Sequence, residues 1–252
     1  MSESNKLIKV PGTILWARYS FSSNRLKYCG PDANLDLFER TASKVNDKKL
    51  REILCEFEAA FPYIQFIASE NRIKDPFDWR VVEAFWLGNE LLNNISINKF
   101  YKHLKDRFSK RAKPLVFDLF AGKISAGSKP YHAFHVFEIY QRFGSWRGID
   151  LGPVIETINN CKISWGRIIK IEKETLDIEY QPLILSKKLS FGTSEIKKID
   201  YKFRDKSFLE NPKVGDWVSF HWNWACDILS KRQLKNLRKW TLWHLKLANL
   251  TS

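Results

Sequence analysis

The sequence ISWGRIIKI at residues 163–171 decides the fold class of the second half of the chain. Its β-branched side chains are typical of a strand rather than of a helix. Short runs of the same kind follow at residues 176–180 (LDIEY) and 183–189 (LILSKKL), and residues 214–224 (VGDWVSFHWNW) alternate aromatic with polar side chains. Several short strands within less than half of the chain predict a small β-barrel.

An amphipathic helix is predicted after these strands, at residues 230–249. Leu234, Leu237 and Trp240 fall on one side of this helix, and basic side chains surround them. Ser230 is the type of residue that caps a helix N-terminus, because its hydroxyl accepts a hydrogen bond from a backbone N–H of the first turn. The chain is therefore expected to end in a helix that packs through one apolar face.

The part of the chain before these strands has a helical pattern. Apolar side chains recur at near-helical spacing in four segments, residues 34–44, 48–60, 75–91 and 94–108. Residues 121–129 contain two glycines and two serines, which predicts a loop, and residues 131–140 fit either a helix or a strand. We therefore predict an α+β protein, with a mainly α-helical domain at residues 1–155 and a barrel with a terminal helix at residues 156–252.

The composition first indicates a nucleic-acid partner. The 252 residues carry a net charge of +14 and ten tryptophans, a combination that suits an anionic partner and base stacking. However, the positive charge divides evenly between the two predicted domains, and the basic runs at residues 105–113 and 231–239 lie on predicted helix faces. We consequently regard nucleic acid as an unlikely partner and keep single-stranded nucleic-acid binding as an alternative.

The cysteines bear on compartment and chemistry. No apolar run approaches the length of a membrane span, and the first residues show no secretory signal, so a cytoplasmic protein without disulfides is expected. The four thiols, of Cys29, Cys55, Cys161 and Cys226, are then candidates for metal binding or chemistry. Phosphate-binding glycine loops, nucleophile elbows and paired-carboxylate motifs do not occur, which disfavours a conventional hydrolase, kinase or dinucleotide enzyme.

Two motifs of the second domain carry a family resemblance. Cys161 stands a few residues before Gly166, which lies in the strand of residues 163–171, and Gly215-Asp216-Trp217-Val218 is followed by His221 and then by Ala225. In this order and spacing, residues 156–252 resemble the HypC-type chaperones of nickel-iron hydrogenase maturation. The cysteine of that family lies at the mature N-terminus, whereas Cys161 is internal here.

The resemblance implies a five-stranded barrel of the oligonucleotide-binding type and a role as an assembly chaperone rather than as an enzyme. In that family a cysteine and a histidine help to hold an iron that carries cyanide and carbon monoxide. By position, Cys161 and His221 would bind this fragment. The implied partners are the precursor of the hydrogenase large subunit and the iron-sulfur scaffold protein of maturation. Trp165, Trp217, Trp222 and Trp224 are expected to form walls around the fragment or a partner surface.

Four more residues are candidate ligands or reactive groups. His132 and His135 would share one face of a helix, a spacing that metal sites use, although satisfied core histidines have the same pattern. Cys29 lies in a turn before a predicted helix and is either a ligating thiolate or part of a structural turn. Cys226 lies near His221 and either joins its site or packs the last helix. A metalloenzyme with Cys and His ligands, making or modifying an active-site ligand, is therefore a further alternative.

The chain as a whole is similar to an uncharacterised prokaryotic family. The shared segments are Tyr28-Cys29-Gly30-Pro31, Trp86-Leu87-Gly88-Asn89, the two histidines His132 and His135, and His221-Trp222 with Trp224. This similarity implies no function by itself.

Overall fold

The computed structural model describes residues 10–108, 121–140 and 154–251. Helices dominate the chain up to residue 161 and strands dominate residues 164–228, so the predicted α+β class, the helical N-terminal part and the C-terminal helix are confirmed. The helices are α1 (Gly12–Arg25), α2 (Asn34–Ala42), α3 (Lys48–Cys55), α4 (Phe61–Glu70), α5 (Trp79–Trp86), α6 (Ile97–Phe108), α7 (His132–Phe134), α8 (Val154–Cys161) and α9 (Lys231–Ala248). A π-helical segment, His135–Tyr140, continues α7, and short 3-10 helices occur at Glu90–Asn94 and Asn249–Thr251.

The strands are β1 (Ser164–Ile171), β2 (Thr175–Tyr180), β3 (Leu183–Leu185), β4 (Leu189–Phe191), β5 (Glu195–Asp200), β6 (Lys202–Phe203), β7 (Lys206–Ser207), β8 (Trp217–His221) and β9 (Trp224–Ile228). Five of them pair in the closed order β1-β2-β5-β9-β8, with β8 returning to β1. Gly166 of β1 faces Tyr180 on one side and Val218 on the other. A Cβ atom at this position would lie 2.9 Å from the Ile178 side chain, so glycine permits the close approach of β1 and β2.

The helix α1 is the main element that the sequence patterns missed. Every residue from Gly12 to Asn24 is buried, including charged and polar ones, so α1 has no amphipathic stripe to detect. The loop predicted for residues 121–129 is wrong for residues 121–125, which are helical. The helix predicted for residues 48–60 ends at Cys55, and the strand predicted for residues 183–189 is split between β3 and β4. The expected domain boundary after residue 155 falls inside α8 and stays a prediction.

One large core joins the helical part to the sheet. It contains aromatic side chains from both parts, among them Trp16, Phe21, Phe38, Phe85, Phe208, Trp224 and Trp240. Polar contacts also join the helical part to the sheet. Buried Arg18 of α1 forms an ion pair with the partly buried Asp227 of β9 at 2.8 Å, and the Tyr19 hydroxyl lies 2.9 Å from the Ser219 hydroxyl of β8. Because α1 contacts β8 and β9 directly, the two parts position each other's side chains.

The last helix, α9, is fixed at its start. The Ser230 hydroxyl accepts a hydrogen bond from the Gln233 N–H at 3.2 Å, which confirms the predicted cap. Arg232 donates to both carboxylate oxygens of buried Glu83 on α5, at 2.9 and 2.8 Å. This bidentate pair orients α9 against the helical part. Among the residues described, no helix combines the length and apolar character that crossing a membrane requires.

Candidate metal centre

Three potential metal ligands from distant parts of the chain meet where the helical part packs against the sheet. His132 begins α7, Cys161 ends α8 and His221 ends β8, and one ligand atom of each lies within 4.8 Å of the other two. Zinc and similar ions hold nitrogen and sulfur at about 2.0 to 2.3 Å, which places neighbouring ligand atoms about 3.5 Å apart. Movements of roughly an ångström would therefore bring all three atoms onto one ion.

A backbone contact brings Cys161 and His221 together. Trp222 has a left-handed conformation with φ of 53°, at the turn between β8 and β9. Its N–H donates to the carbonyl oxygen of Asn160 at 2.7 Å. Since Asn160 precedes Cys161 and Trp222 follows His221, this single hydrogen bond ties the end of α8 to the end of β8.

His221 is oriented as a ligand. Its Nδ1 atom lies 2.6 Å from the backbone oxygen of Tyr19, so Nδ1–H donates there and the lone pair is on Nε2. Nε2 is buried, and it has no hydrogen-bond partner in the described structure. Burial lowers the pKa of His221 to about 4, although the backbone of Tyr19 and then that of Cys161 oppose this effect. The ring is therefore neutral at physiological pH, which is the form that binds metals.

His132 has the same properties. Its ring centroid lies 5.3 Å from that of His221, at an interplanar angle of 82°. Burial lowers the pKa of His132 well below the usual value, and the proximity of His221 and then of His135 adds to this effect. Its Nδ1 atom is buried and also lacks a partner among the described groups. Two neutral imidazoles with unpartnered nitrogen atoms are costly in an apolar interior unless they bind something.

Cys161 supplies the sulfur atom. The residue is half-buried, and burial, followed by the nearby Cys29, raises the pKa of its thiol to about 12. The group is consequently a neutral thiol before it binds anything. A metal ion would displace the thiol proton and compensate the buried negative charge of the thiolate.

The aromatic wall of this centre is Trp86, which the sequence did not place there. The Trp86 ring lies 4.6 Å from the ring of His132 and 5.9 Å from that of His221, and it stacks on Tyr19 at 5.6 Å. Its position in the apolar stripe of α5 predicts burial but does not show which neighbours it meets.

The four tryptophans expected around the fragment or at a partner surface have ring contacts in other parts of the structure. Trp222 packs on Tyr28 and Trp224 packs in the core against Phe21. Trp165 and Trp217 both contact the Arg238 guanidinium of α9. None of these four contacts involves His132, Cys161 or His221, and the expectation that the four tryptophans form walls around the fragment or a partner surface stays a prediction.

The other candidate residues, His135, Cys226 and Cys29, are not part of the cluster of His132, Cys161 and His221. The His135 ring packs against Tyr63 at 5.8 Å, and burial, followed by the Arg107 charge, lowers the pKa of His135 to about 3. Cys226 is fully buried, and its thiol donates to the Trp224 oxygen at 3.5 Å. Cys29 lies in the segment between α1 and α2, near Cys161.

Comparison with known proteins identifies the family without assigning a role to this centre. No curated protein and no solved structure matches the chain. The sequence pattern of a family described as "Family of unknown function (DUF6390)" matches residues 8–252, a range that contains all three meeting residues. The chain belongs to this family.

Proposed function

We propose that the protein is an assembly factor for the nickel-iron hydrogenase active site and holds its iron fragment at His132, Cys161 and His221. The observation that carries this proposal is the meeting of Cys161 with His221. The resemblance to HypC-type chaperones assigns the fragment to these two residues, and their ligand atoms approach within 4.8 Å although 59 residues separate them in the chain.

The donor set suits an iron fragment as cargo. A thiolate is a soft, charged ligand, and neutral imidazole is a common ligand of iron. Three protein ligands on one side of an octahedral iron leave the remaining positions for cyanide and carbon monoxide. The surrounding apolar residues, Trp86 above all, would exclude water and so protect the bound fragment.

The architecture fits the same role. The closed order of β1, β2, β5, β9 and β8 is compatible with the small oligonucleotide-binding type of barrel that the resemblance implies, and α9 follows it directly. In this proposal, the sheet and α9 dock to the large-subunit precursor and to the iron-sulfur scaffold protein in the cytoplasm. The net charge of +14 would favour acidic surfaces on those partners.

Infrared spectroscopy tests this proposal. The protein, purified after co-expression with hydrogenase maturation proteins, should contain iron and show absorption bands of cyanide and carbon monoxide. Cys161→Ala should lose both the iron and the bands, whereas Cys226→Ala, which removes a thiol outside the centre, should retain them. Normal hydrogenase maturation in cells that carry only Cys161→Ala would refute the proposal.

A metalloenzyme is the second candidate function. The observation that favours it is the set of three protein ligands, which leaves a position on the metal open. One cysteine and two histidines with an open position are also typical of catalytic zinc sites, in which the metal activates a water molecule. Elemental analysis of the purified protein separates the two candidates. Stoichiometric zinc, with no iron and no infrared bands after co-expression, would favour the enzyme.

A further inference from the structure

A second thiol-lined region lies beside the metal centre. A cavity of about 510 Å³ is lined by Cys29 and Cys55, together with Glu56, Glu58 and small residues. Among the described residues that line it there is no lysine or arginine, although the chain has a net charge of +14. Arg107 donates to the backbone oxygens of Glu58 and Ala59, and the Arg51 charge lies near Cys55. The side chains of the lining itself still combine thiols with carboxylates, and this combination favours a cation that binds sulfur.

The Cys29 end of this cavity adjoins Cys161. The Tyr28 ring packs on the Trp222 ring at 4.5 Å, and the Trp222 N–H binds the Asn160 oxygen at 2.7 Å. These contacts place the neighbours of Cys29 against the neighbours of Cys161. The two thiols are close enough for Cys29 to raise the pKa of Cys161 further.

Buried side chains hold the segment around Cys29 in place. The Asn24 side chain, itself buried, donates to the carbonyl oxygens of Cys29 and Pro31 at 2.9 and 2.6 Å. Gly30 has a φ of 78°, and a Cβ atom there would lie 2.5 Å from the Phe57 ring. The close packing of Gly30 on Phe57 therefore fixes Cys29 at the boundary between the cavity and the core.

We propose that a thiophilic divalent metal ion reaches the centre along Cys55, Cys29 and Cys161 in that order. Exposure decreases in the same direction, because Cys55 is exposed, Cys29 and Cys161 are half-buried, and His132 and His221 are buried. The path ends at the unpartnered Nε2 atom of His221. This proposal rests on the metal centre of the proposed function but does not require a role in hydrogenase assembly.

Each transfer between thiols is a ligand exchange that balances without an oxidant. A bond from the metal to the Cys161 sulfur forms while the bond to the Cys29 sulfur breaks. The proton that leaves the Cys161 thiol goes to the departing Cys29 thiolate, and the metal keeps its oxidation state. The nitrogen atoms of His132 and His221 then bind the ion without losing a proton, because both rings are neutral.

Stopped-flow loading of the apoprotein with Co²⁺ alone tests this path. The part of the thiolate-to-cobalt absorption band that Cys161→Ala abolishes reports arrival at Cys161, and chelator competition gives the equilibrium affinity. We expect Cys29→Ser to reduce the loading rate at least tenfold and Cys55→Ser to reduce it about threefold. Both variants should reach the same final absorbance as the wild type, with affinities within threefold. Cys226→Ala, the matched control, should load at the wild-type rate.

Two outcomes would overturn the path, and they differ in what else they overturn. If a Cys29→Ser/Cys55→Ser variant loads as fast as the wild type, the path is wrong while the metal centre stands. If the wild type shows no thiolate-to-cobalt band, the centre itself and the proposed function lose their basis. Because Cys55 is exposed, the single Cys55→Ser variant keeps the measurement possible even where the double variant is unstable.

Discussion

Acidification should destabilise the metal-free protein well above the pH at which carboxylates titrate. The pKa values of all five histidines lie below the ordinary value of 6.5, and burial is the largest cause at each. A neutral buried imidazole binds no proton at pH 5, whereas the same residue in the unfolded chain is mostly protonated there. The unfolded state therefore gains protons that the folded state cannot bind, and stability falls as the pH decreases below about 6.5.

The size of this loss in stability depends mainly on the pKa of histidine in the unfolded chain. Between pH 7 and pH 5, each imidazole that stays neutral in the folded protein costs about 2 kcal/mol. His132, His221 and His244 are the three most buried, and together they lower the free energy of unfolding by roughly 5 kcal/mol. Many domains have a total stability of only about 5 to 15 kcal/mol. His103 and His135 act in the same direction.

Urea unfolding in the presence of a chelator, followed by tryptophan fluorescence at pH 7, 6 and 5, measures this loss. His244 provides the matched variant because it lies outside the metal centre. Its Nδ1–H donates to the Trp240 oxygen at 2.8 Å, and its Nε2 accepts from the Lys129 N–H at 3.1 Å. His244→Gln should reduce the loss between pH 7 and pH 5 by about 2 kcal/mol. A free energy of unfolding that is constant over this range, or an unchanged loss in His244→Gln, would refute the reasoning.

Two further substitutions test how the helical part and the sheet pack. Gly88 has a φ of 80°, and a Cβ atom there would lie 2.1 Å from Trp240, so Gly88→Ala should lower the free energy of unfolding by about 2 to 5 kcal/mol. Gly122→Ala, where no atom lies within 4 Å, is in a helical segment and should raise it by up to about 1 kcal/mol, and equal effects of the two substitutions in urea unfolding would contradict this prediction. Tyr19→Phe removes the 2.9 Å hydrogen bond to Ser219 and should cost about 1 kcal/mol in the same assay. It should leave cobalt affinity within threefold, because only the backbone oxygen of this residue contacts the centre.

Local sequence patterns predicted the α+β class, most helices and several strands, because these depend on apolar spacing along the chain. They failed at α1, whose buried Arg18 is compensated by Asp227 at the far end of the chain. An ion pair between residues so distant leaves no periodic signal. The burial of α1 can consequently be recognised only from the tertiary structure, in which β9 covers it.

The candidate centre was predicted in its parts but not as a whole. The motif order singled out Cys161 and His221, whereas their approach depends on tertiary hydrogen bonds from Trp222 and Tyr19. The spacing of His132 and His135 predicted a shared helix face. The helix changes to π geometry at His135, and the two rings diverge, one toward His221 and the other toward Tyr63.

The burial of α1 against β8 and β9 has a consequence for synthesis on the ribosome. Tyr19 and its partner Ser219 are 200 positions apart, so α1 emerges long before the strands that cover it. Until nearly the whole chain has been translated, this helix lacks its main neighbours and exposes aromatic surface that favours aggregation. Folding should therefore finish only after release of the C-terminal segment, and the growing chain is a natural client for chaperones that bind exposed apolar helices.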